Sequence, residues 1–371
     1  MNFKELWNFK YKAPILGVEI GDINGNDQQE IIAYTKLGTV LILSLEGELL
    51  SESEVAEKSS IWCAKIADLN NDGENVIILG GLDGILRVFK SSDSYSLKPL
   101  WAHQFGASIG GILSDDITNN GIQEIIAYSL DKSIRVLNQN DGNLVWGQVF
   151  EDGIADAMIW EQNKDRENKE VVACGNDGTL RIFNGKSGEL MWHKRFSNKM
   201  RCVARLNSAK GPIISCGGDD KLLHLIDKNT REEIKYLEFE DYLWKSLSFP
   251  NSQHDKILAS TYSFAYFDES IHIEKIEFSS KVICIGNNLE ILWEIEGKNV
   301  EYLNAFEKNG KSFALIGATT GEILMIDTNT GEVLLENKKN SCINMVQVLP
   351  NEKLIVSCDD DGQISVNVIE D

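Results

Sequence analysis

Short apolar runs, separated by polar turns, recur along the whole chain. In one typical group, residues 61–67 and 75–80 are mostly apolar, and residues 85–89 alternate between apolar and polar side chains. Continuous runs rich in β-branched residues indicate inner strands that are buried on both faces. Alternation, as at Leu180-Arg181-Ile182-Phe183, predicts a more exposed third strand. No long window has helical periodicity, so the pattern predicts an all-β fold.

Tight two-residue turns separate the second and third runs of these groups. Asp-Gly between apolar runs is a strong signal for a β-hairpin, because glycine adopts positive φ without a Cβ clash. The second residues of successive turns lie 46, 48, 46, 43, 100 and 41 residues apart, so the longest interval holds one further unit. The turns are Leu37-Gly38, Asp83-Gly84, Asp131-Lys132, Asp177-Gly178, Asp220-Lys221, Thr320-Gly321 and Asp361-Gly362.

A repeat of about 40–45 residues with four short strands is typical of a β-propeller blade, WD40-like blades included. One blade cannot bury its faces alone, so neighbouring blades must cover them. We therefore predict an eight-bladed β-propeller. A seven-bladed ring is the alternative, and it applies if the sixth unit is not a blade.

The two ends of the chain predict how the ring closes. The last unit supplies three strands, at residues 342–348, 353–357 and 363–369, and lacks a fourth. Leu6-Trp7 has the pattern of other fourth strands, such as Leu100-Trp101. We expect the N-terminal strand to complete the C-terminal blade, which removes the unpaired edges of an open sheet.

The repeat runs from end to end, so we expect a single domain over residues 1–371, with a closing strand at 1–12. No linker or low-complexity tract interrupts it. The expected blades span residues 13–55, 56–105, 106–150, 151–196, 197–239, 240–297, 298–339, and 340–371 together with 1–12.

Acidic loops join the first two strands of the first three blades. Oxygen-bearing side chains at alternate loop positions can surround one Ca²⁺ ion, the one cofactor that these loops suggest. The alternative, which we favour, is that Asp and Asn accept hydrogen bonds from their own loop in a tight turn without an ion. The candidate ligands are Asp22, Asn24, Asn26, Asp68, Asn70, Asp72, Asp116 and Asn120.

The loop pattern Asp-x-Asn-x-Asn/Asp-(Gly)-x-x-Glu, followed by an Ile/Val strand, resembles the FG-GAP repeats of integrin α-subunit propellers. It also resembles the degenerate FG-GAP-like propellers of cytosolic trafficking and nutrient-signalling complexes. The outer-strand pattern Gly188-Glu189-Leu190-Met191-Trp192 resembles quinoprotein-like repeats. The resemblance to integrin repeats implies calcium ligands in the loops, and that to the cytosolic propellers implies a scaffold role. The resemblance to quinoprotein-like repeats implies a tryptophan that docks against the next blade.

Catalytic signatures are sparse. Quinone-dependent dehydrogenases resemble this chain in their repeat, but they carry a vicinal disulfide, and the seven cysteines here include no adjacent pair. The five histidines have no metal-ligand spacing, and no nucleophile elbow, Walker loop or dinucleotide fingerprint occurs. We therefore expect that the protein is not an enzyme, with a quinone-dependent propeller as the least favoured alternative.

A net charge of −21 narrows the range of partners. It argues against nucleic acid, whose binding requires clustered Lys and Arg, and favours proteins with basic surfaces. No apolar stretch reaches the roughly 18–20 residues of a membrane span, and no secretion signal is visible. The cysteines are expected to be buried thiols in a reducing environment, so we expect a cytoplasmic protein.

The sixth unit departs most from the repeat. An aromatic-rich segment at residues 263–280 replaces its two-residue turn. It is either an interface, since long loops are often functional and aromatic side chains anchor partners, or a long hairpin that extends the sheet. The candidate partner-binding residues are Phe264, Tyr266, Phe267, Asp268 and Glu269.

These patterns predict a non-enzymatic scaffold that binds other proteins through its faces and loops. A calcium-dependent ligand-binding module of the FG-GAP type is the main alternative.

Overall fold

A computed structural model describes residues 2–161, 169–249, 255–263, 280–297, 299–349 and 353–370. Over these ranges the chain forms 32 β-strands in eight antiparallel sheets of four strands each. The predicted eight-bladed β-propeller is confirmed, and the sixth unit is a complete blade, so the seven-bladed alternative is wrong. In this described part of the chain, no helix is long and apolar enough to cross a membrane.

Each blade begins at an inner strand beside the central channel and ends at an outer strand on the rim. Blades one to four contain β2 (Ile15–Gly21), β3 (Glu30–Thr35), β4 (Thr39–Ser44), β5 (Leu49–Glu54), β6 (Ile61–Ala67), β7 (Val76–Gly81), β8 (Ile85–Ser91), β9 (Leu97–Gln104), β10 (Ile109–Asp115), β11 (Glu124–Ser129), β12 (Ser133–Leu137), β13 (Leu144–Val149), β14 (Ile154–Glu161), β15 (Lys169–Gly175), β16 (Thr179–Asn184) and β17 (Leu190–Arg195). Blades five to eight contain β18 (Met200–Ser208), β19 (Gly211–Gly218), β20 (Leu222–Asp227), β21 (Glu233–Glu238), β22 (Tyr242–Ser248), β23 (Lys256–Tyr262), β24 (Lys281–Gly286), β25 (Ile291–Glu296), β26 (Val300–Lys308), β27 (Lys311–Ala318), β28 (Glu322–Asp327), β29 (Val333–Lys338), β30 (Ile343–Leu349), β31 (Leu354–Asp359), β32 (Gln363–Glu370) and β1 (Asn2–Lys10).

The N-terminal strand closes the ring as predicted. Blade eight has the strand order β1-β32-β31-β30, so three strands come from one end of the chain and one from the other. The antiparallel pairing of β1 with β32 extends from Asn2 opposite Glu370 to Lys10 opposite Gln363. The first and last segments of the chain are therefore hydrogen-bonded to each other along a full strand.

The core lies between neighbouring blades. Between blades one and two, for example, Ile32 and Tyr34 pack with Ile77 and Leu79. Burial of apolar area stabilises the fold by roughly 25 cal/mol per Å², and here that area is shared by blades that are adjacent in the ring. Stability of each blade thus depends on both neighbours.

All seven cysteines are free thiols, as expected. Cys174, Cys216 and Cys358 lie on second strands and are buried between blades. Burial raises the pKa of each of these thiols, because the low-polarity interior disfavours the thiolate. They act as small apolar side chains of the core.

The third strand of blade four, β16, is more exposed than the second strand, β15, as its alternating pattern predicts. In β16, Leu180, Ile182 and Phe183 are all buried, and only Arg181 interrupts them. The Arg181 guanidinium pairs with Asp177 of the hairpin turn at 2.8 Å and stacks on the Phe150 ring at 4.0 Å. The partly exposed Arg181 side chain thus covers an aromatic ring, and its charge is neutralised by the turn aspartate.

Tryptophans of the outer strands dock against the next blade. Trp7, Trp101, Trp146 and Trp293 each donate an indole N–H to a backbone carbonyl there, at 2.7–2.8 Å. A glycine of positive φ lies under each ring, and a Cβ at that glycine would approach ring atoms to within 2.4–2.7 Å. The docking role expected for this motif is confirmed at these four positions.

We predict that Trp7→Ala lowers the free energy of unfolding by about 2–4 kcal/mol, because it removes a packed indole and its bond to Leu45 O across the closing blade. Chemical denaturation measures this change. Trp62→Ala is the matched control, because Trp62 is 50 % exposed and should cost no more than about 0.5 kcal/mol. Equal losses in the two variants would contradict the role given to Trp7.

Candidate functional site at the mouth of the central channel

The ring has two chemically different faces. We call the end of the channel that carries the turns between second and third strands the hairpin face; these turns include residues 82–84 and 130–132. The opposite end carries the acidic loops between first and second strands, and we call it the loop face.

Every inner strand has an irregularity where it enters the channel from the hairpin face. Its pairing with the second strand shifts register by one residue, as between Ile61 and Cys63, which leaves Trp62 without a partner in the ladder. Such bulges re-aim a side chain at the end of a sheet. The eight residues skipped in this way are Leu16, Trp62, Gly110, Ala155, Arg201, Trp244, Glu301 and Asn344.

A cavity of about 570 Å³ opens at this mouth. Five of the eight bulge residues line it, together with side chains from the adjacent hairpin turns and the next residues of the inner strands. Gly110 and Ala155 are small, so the cavity is wide on the side of blades three and four, whereas Trp62 and Trp244 stand at its other sides. A volume of this size is within the usual range for a ligand or peptide side-chain pocket.

Exposed apolar side chains border the cavity. Trp62, Leu82 and Leu130 all line it and are 50 %, 43 % and 50 % exposed, respectively. Single exposed apolar residues are common, but large ones gathered around a concave surface mark binding sites. The mouth of the channel therefore combines an apolar border with a recess.

Arg201 and Trp244 form one wall of the cavity. The guanidinium of Arg201 makes a bidentate interaction with Asp219, in which Nη2 donates to Oδ2 at 2.9 Å. It also lies over the Trp244 indole, 5.0 Å from the ring centroid. Because both contacts are charge-assisted or stacking interactions, this wall is held in a defined geometry.

Asp156 is recessed at the base of the cavity with its oxygens occupied. Oδ2 accepts the backbone N–H of Val203 at 2.9 Å, and Oδ1 accepts the N–H of Ala157 at 2.9 Å and the hydroxyl of Tyr128 at 3.4 Å. Burial raises the pKa of Asp156 to about 6, although these donors oppose the rise. This carboxylate connects the inner strands of blades four and five.

Lys245 lines the same cavity without an acceptor. Among the described residues, no carboxylate or carbonyl lies within hydrogen-bond or ion-pair distance of its Nζ, which approaches the Tyr302 ring at 5.8 Å. Burial lowers the pKa of Lys245, while the more distant carboxylates of Glu301 and Asp156 raise it. Glu301 has the complementary shift, since burial raises its pKa and Lys245 lowers it.

Glu19 occupies a comparable recessed position in blade one. Burial raises its pKa to about 7, and Lys65 on the neighbouring inner strand partly opposes this. The channel therefore holds carboxyl groups that are harder to ionise than those on the surface.

We predict that Glu19→Gln removes a pH-dependent loss of stability. A carboxyl whose pKa rises from 4.5 to about 7 on folding binds its proton more tightly when folded, so wild-type stability falls as pH increases through this interval. The variant should gain about 1–3 kcal/mol relative to wild type between pH 4.5 and 8, measured by denaturation at each pH. The exposed Glu48→Gln is the control, and parallel pH profiles for wild type and Glu19→Gln would contradict the prediction.

The acidic loops form tight turns on the loop face. In blade one, Oδ1 of Asp22 accepts the backbone N–H groups of Asn24, Gly25 and Asn26, and Oδ2 accepts that of Asp27. Burial raises the pKa of Asp22, but these four donors outweigh it, so the pKa lies below its usual value. The first aspartate of the loop thus binds its own backbone.

The other two loops repeat this geometry. Asp68 accepts the N–H groups of residues 72 and 73, and Asp116 accepts those of residues 120 and 121. Asn26, Asp72 and Asn120 each accept the N–H two residues further on. Asn70 is exposed, and the buried Oδ1 of Asn24 has no hydrogen-bond partner among the described residues.

Loops of adjacent blades are also connected. Asn75 of blade two donates to the carbonyl of Asp22, and Gln123 of blade three donates to that of Asp68, at 2.7 and 3.0 Å. Across the described ranges, no group of three or more His, Cys, Asp or Glu side chains is arranged to hold a metal ion. Calcium binding at these loops stays a prediction, and so does the alternative that the loops form tight turns without an ion.

We predict that Asp22→Ala destabilises the protein by about 1–2 kcal/mol through the loss of its backbone hydrogen bonds, equally in excess CaCl₂ and in EGTA. Thermal and chemical denaturation in both buffers measure the effect, with Asn70→Ala as the exposed control. A calcium-dependent rise in wild-type stability that Asp22→Ala abolishes would establish the cation site instead.

The residues proposed for partner binding in blade six lie outside the described residues. This applies to Phe264, Tyr266, Phe267, Asp268 and Glu269, which remain a prediction. The strands that flank them, β23 and β24, pair directly with each other, so the insertion begins and ends on the hairpin face. Its attachment points therefore lie on the same face as the cavity.

Sequence reasoning missed the cavity residues. Trp62 and Trp244 occur at the second and third positions of their inner strands, away from the outer-strand tryptophans, and their place near the start of the inner strand was the available signal. Lys245 follows Trp244 inside an otherwise apolar and hydroxyl-bearing strand. Only the ring geometry brings these residues, which are far apart in the chain, to one mouth.

Two protein families match parts of the chain. The family described as "KICSTOR complex protein kaptin" matches residues 45–147, and the one described as "Lambda-carrageenase beta-propeller domain" matches residues 141–264. Each match spans less than half of the chain, so neither assigns the whole chain to that family. Both agree with a propeller repeat.

Solved structures of similar architecture cover nearly the whole chain. Sqt1 of Saccharomyces cerevisiae aligns with TM-score 0.75 at 12 % identity, over 100 % of both chains. The computationally designed Ika8 protein aligns with TM-score 0.74 at 16 % identity, over 98 % of this chain and 99 % of its own. BamB from Moraxella catarrhalis aligns with TM-score 0.67 at 13 % identity, over 99 % and 100 %. At these identities the likeness establishes the fold alone.

Proposed function

We propose that this protein is a non-enzymatic interaction scaffold that docks a segment of a partner protein at the cavity on its hairpin face. The observation that carries the proposal is the cluster of exposed Trp62, Leu82 and Leu130 around a recess of about 570 Å³. Aromatic and aliphatic side chains that surround a pocket supply most of the energy in protein interfaces. The rigid ring holds these side chains in place before a partner arrives, which lowers the entropic cost of binding.

The partial family match supports the same function. Residues 45–147 match a family whose description names a protein of a complex, and this segment contains Trp62, Leu82 and Leu130. Resemblance of the acidic loops to degenerate FG-GAP-like propellers points the same way. A cytoplasmic location is part of the proposal, and the free thiols of all seven cysteines favour a reducing compartment.

Charge favours partners with basic surfaces. The chain has a net charge of −21, which raises the association rate of positively charged proteins and opposes that of acidic ones. This long-range attraction acts over the outside of the ring. It does not determine which side chain enters the cavity, where local groups dominate.

Catalysis is not part of the proposal. The recessed carboxylate of Asp156 accepts two backbone N–H groups and a tyrosine hydroxyl, so its oxygens are already engaged in holding two blades together. A general base needs a free oxygen directed at its substrate. Its geometry therefore suits a structural role better than a chemical one.

We predict that a Trp62→Asp/Leu130→Asp double variant loses the partners that wild-type protein captures from native lysate, by at least about tenfold in recovered amount. Charges at the border of the cavity must be desolvated when an apolar segment docks, which opposes binding. Quantitative mass spectrometry of the captured proteins measures the loss.

Two controls make this experiment specific. Leu144→Asp/Val149→Asp changes equally exposed apolar residues on the outer strand of blade three, and it should leave capture unchanged. Phe264→Ser/Tyr266→Ser/Phe267→Ser tests the blade-six insertion separately. Capture that survives the Trp62/Leu130 change but not the blade-six change would move the interface from the cavity to the insertion.

A further inference from the structure

Lys245 is the least satisfied charged group of the mouth cavity. It lies on the inner strand of blade six beside Trp244, lines the cavity, and has no acceptor within hydrogen-bond or ion-pair distance among the described residues. A partly buried ammonium without an acceptor is costly, since it loses part of its hydration without gaining a partner. Within the described residues, Lys245 therefore lacks a partner.

Neighbouring charged groups do not provide Lys245 with an acceptor. Asp156 directs its oxygens at Val203 N, Ala157 N and Tyr128 O–H. Glu301 interacts with Lys245 only over a longer distance, and its own burial disfavours the ionised form. Arg201, the other cation of the cavity, is already paired with Asp219. One positive charge thus faces the cavity without a close counter-charge.

We infer that the cavity takes an acidic side chain of an extended partner segment, whose carboxylate pairs with Lys245 while flanking apolar side chains contact Trp62, Leu82 and Leu130. The inference rests on the proposed function and specifies its ligand. A single unpaired ammonium matches a single carboxylate. The apolar border at the same mouth requires apolar residues near that carboxylate in the segment.

Electrostatic attraction acts on a partner in two ways, at long range through the net charge and at short range through Lys245. The net charge of −21 favours a basic partner surface at long range, but salt screens such attraction over about 8–10 Å. Inside the recess, screening is weaker and the nearest unpaired charge is positive. An acidic residue within an otherwise neutral or basic segment satisfies both conditions.

Selection of random peptides displayed on phage tests the inference directly. Separate selections use wild-type protein, Lys245→Met, Lys245→Glu and Lys65→Met, the last changing another lysine of an inner strand that faces Glu19. Wild type and Lys65→Met should enrich Asp or Glu at one position between apolar residues. Lys245→Met should lose this enrichment, and Lys245→Glu should replace it with Lys or Arg.

Synthetic peptides then give the size of the effect. Replacing the selected acidic residue by its amide should weaken binding to wild type by about 10–100-fold and leave binding to Lys245→Met nearly unchanged. Thermal denaturation confirms that each variant is folded before its binding is compared.

The outcomes distinguish this inference from the function on which it rests. Peptides that lose binding with Trp62→Asp but show no acidic preference would support docking at the cavity and overturn the carboxylate assignment. Peptides insensitive to both Trp62→Asp and Lys245→Glu, or no selected peptides at all, would overturn both. Competition by sodium hexanoate at concentrations near the peptide Kd would assign the cavity to small free carboxylates and overturn a peptide ligand.

Discussion

The pairing of β1 with β32 is the constraint on which the whole ring depends. Apolar layers lie between blades, so each blade is stable only while both of its faces are covered. The layer between blades eight and one joins Val356 and Val366 to Ile31 and Leu41, and it exists only because the closing strand holds blade eight in place. Trp7 adds a hydrogen bond from that strand to Leu45 of blade one.

Closure also creates the site. Eight inner strands enter the channel side by side, and a bulge at the same level of each turns one residue out of the hydrogen-bonded ladder. The mouth cavity is thus assembled from single residues contributed by several blades, with Trp62 and Trp244 as its largest side chains. A ring that opened at any blade would lose the cavity together with the core.

The fold could be predicted from the sequence because its signals are local. Two-residue turns, a period near 45 residues and a recurrent outer-strand tryptophan each lie within one blade, and their repetition shows the ring. The role of Arg181 could not be predicted, since its stacking on Phe150 links residues from two blades. The alternation of residues along one strand cannot show that a charged side chain covers an aromatic ring of the neighbouring blade.

The cavity could not be predicted in the same way. Trp62 and Trp244 lie in blades two and six, about half of the chain apart, and line one cavity only because the ring closes and both occupy the bulge position of their inner strands. Chemical motifs that signal active sites lie close together in the chain or have fixed spacing, and none does so here. The acidic loops, which do have a motif, direct their aspartates toward their own backbone.

The bulges have a consequence for how such a protein changes over evolutionary time. Since the skipped residue in each inner strand has no partner in the ladder, a substitution there disturbs few backbone hydrogen bonds. The eight positions already range from glycine and alanine to tryptophan, arginine and glutamate on one conserved backbone geometry. Gene duplication followed by mutation at these few sites would give descendants with the same propeller fold and different ligand preferences.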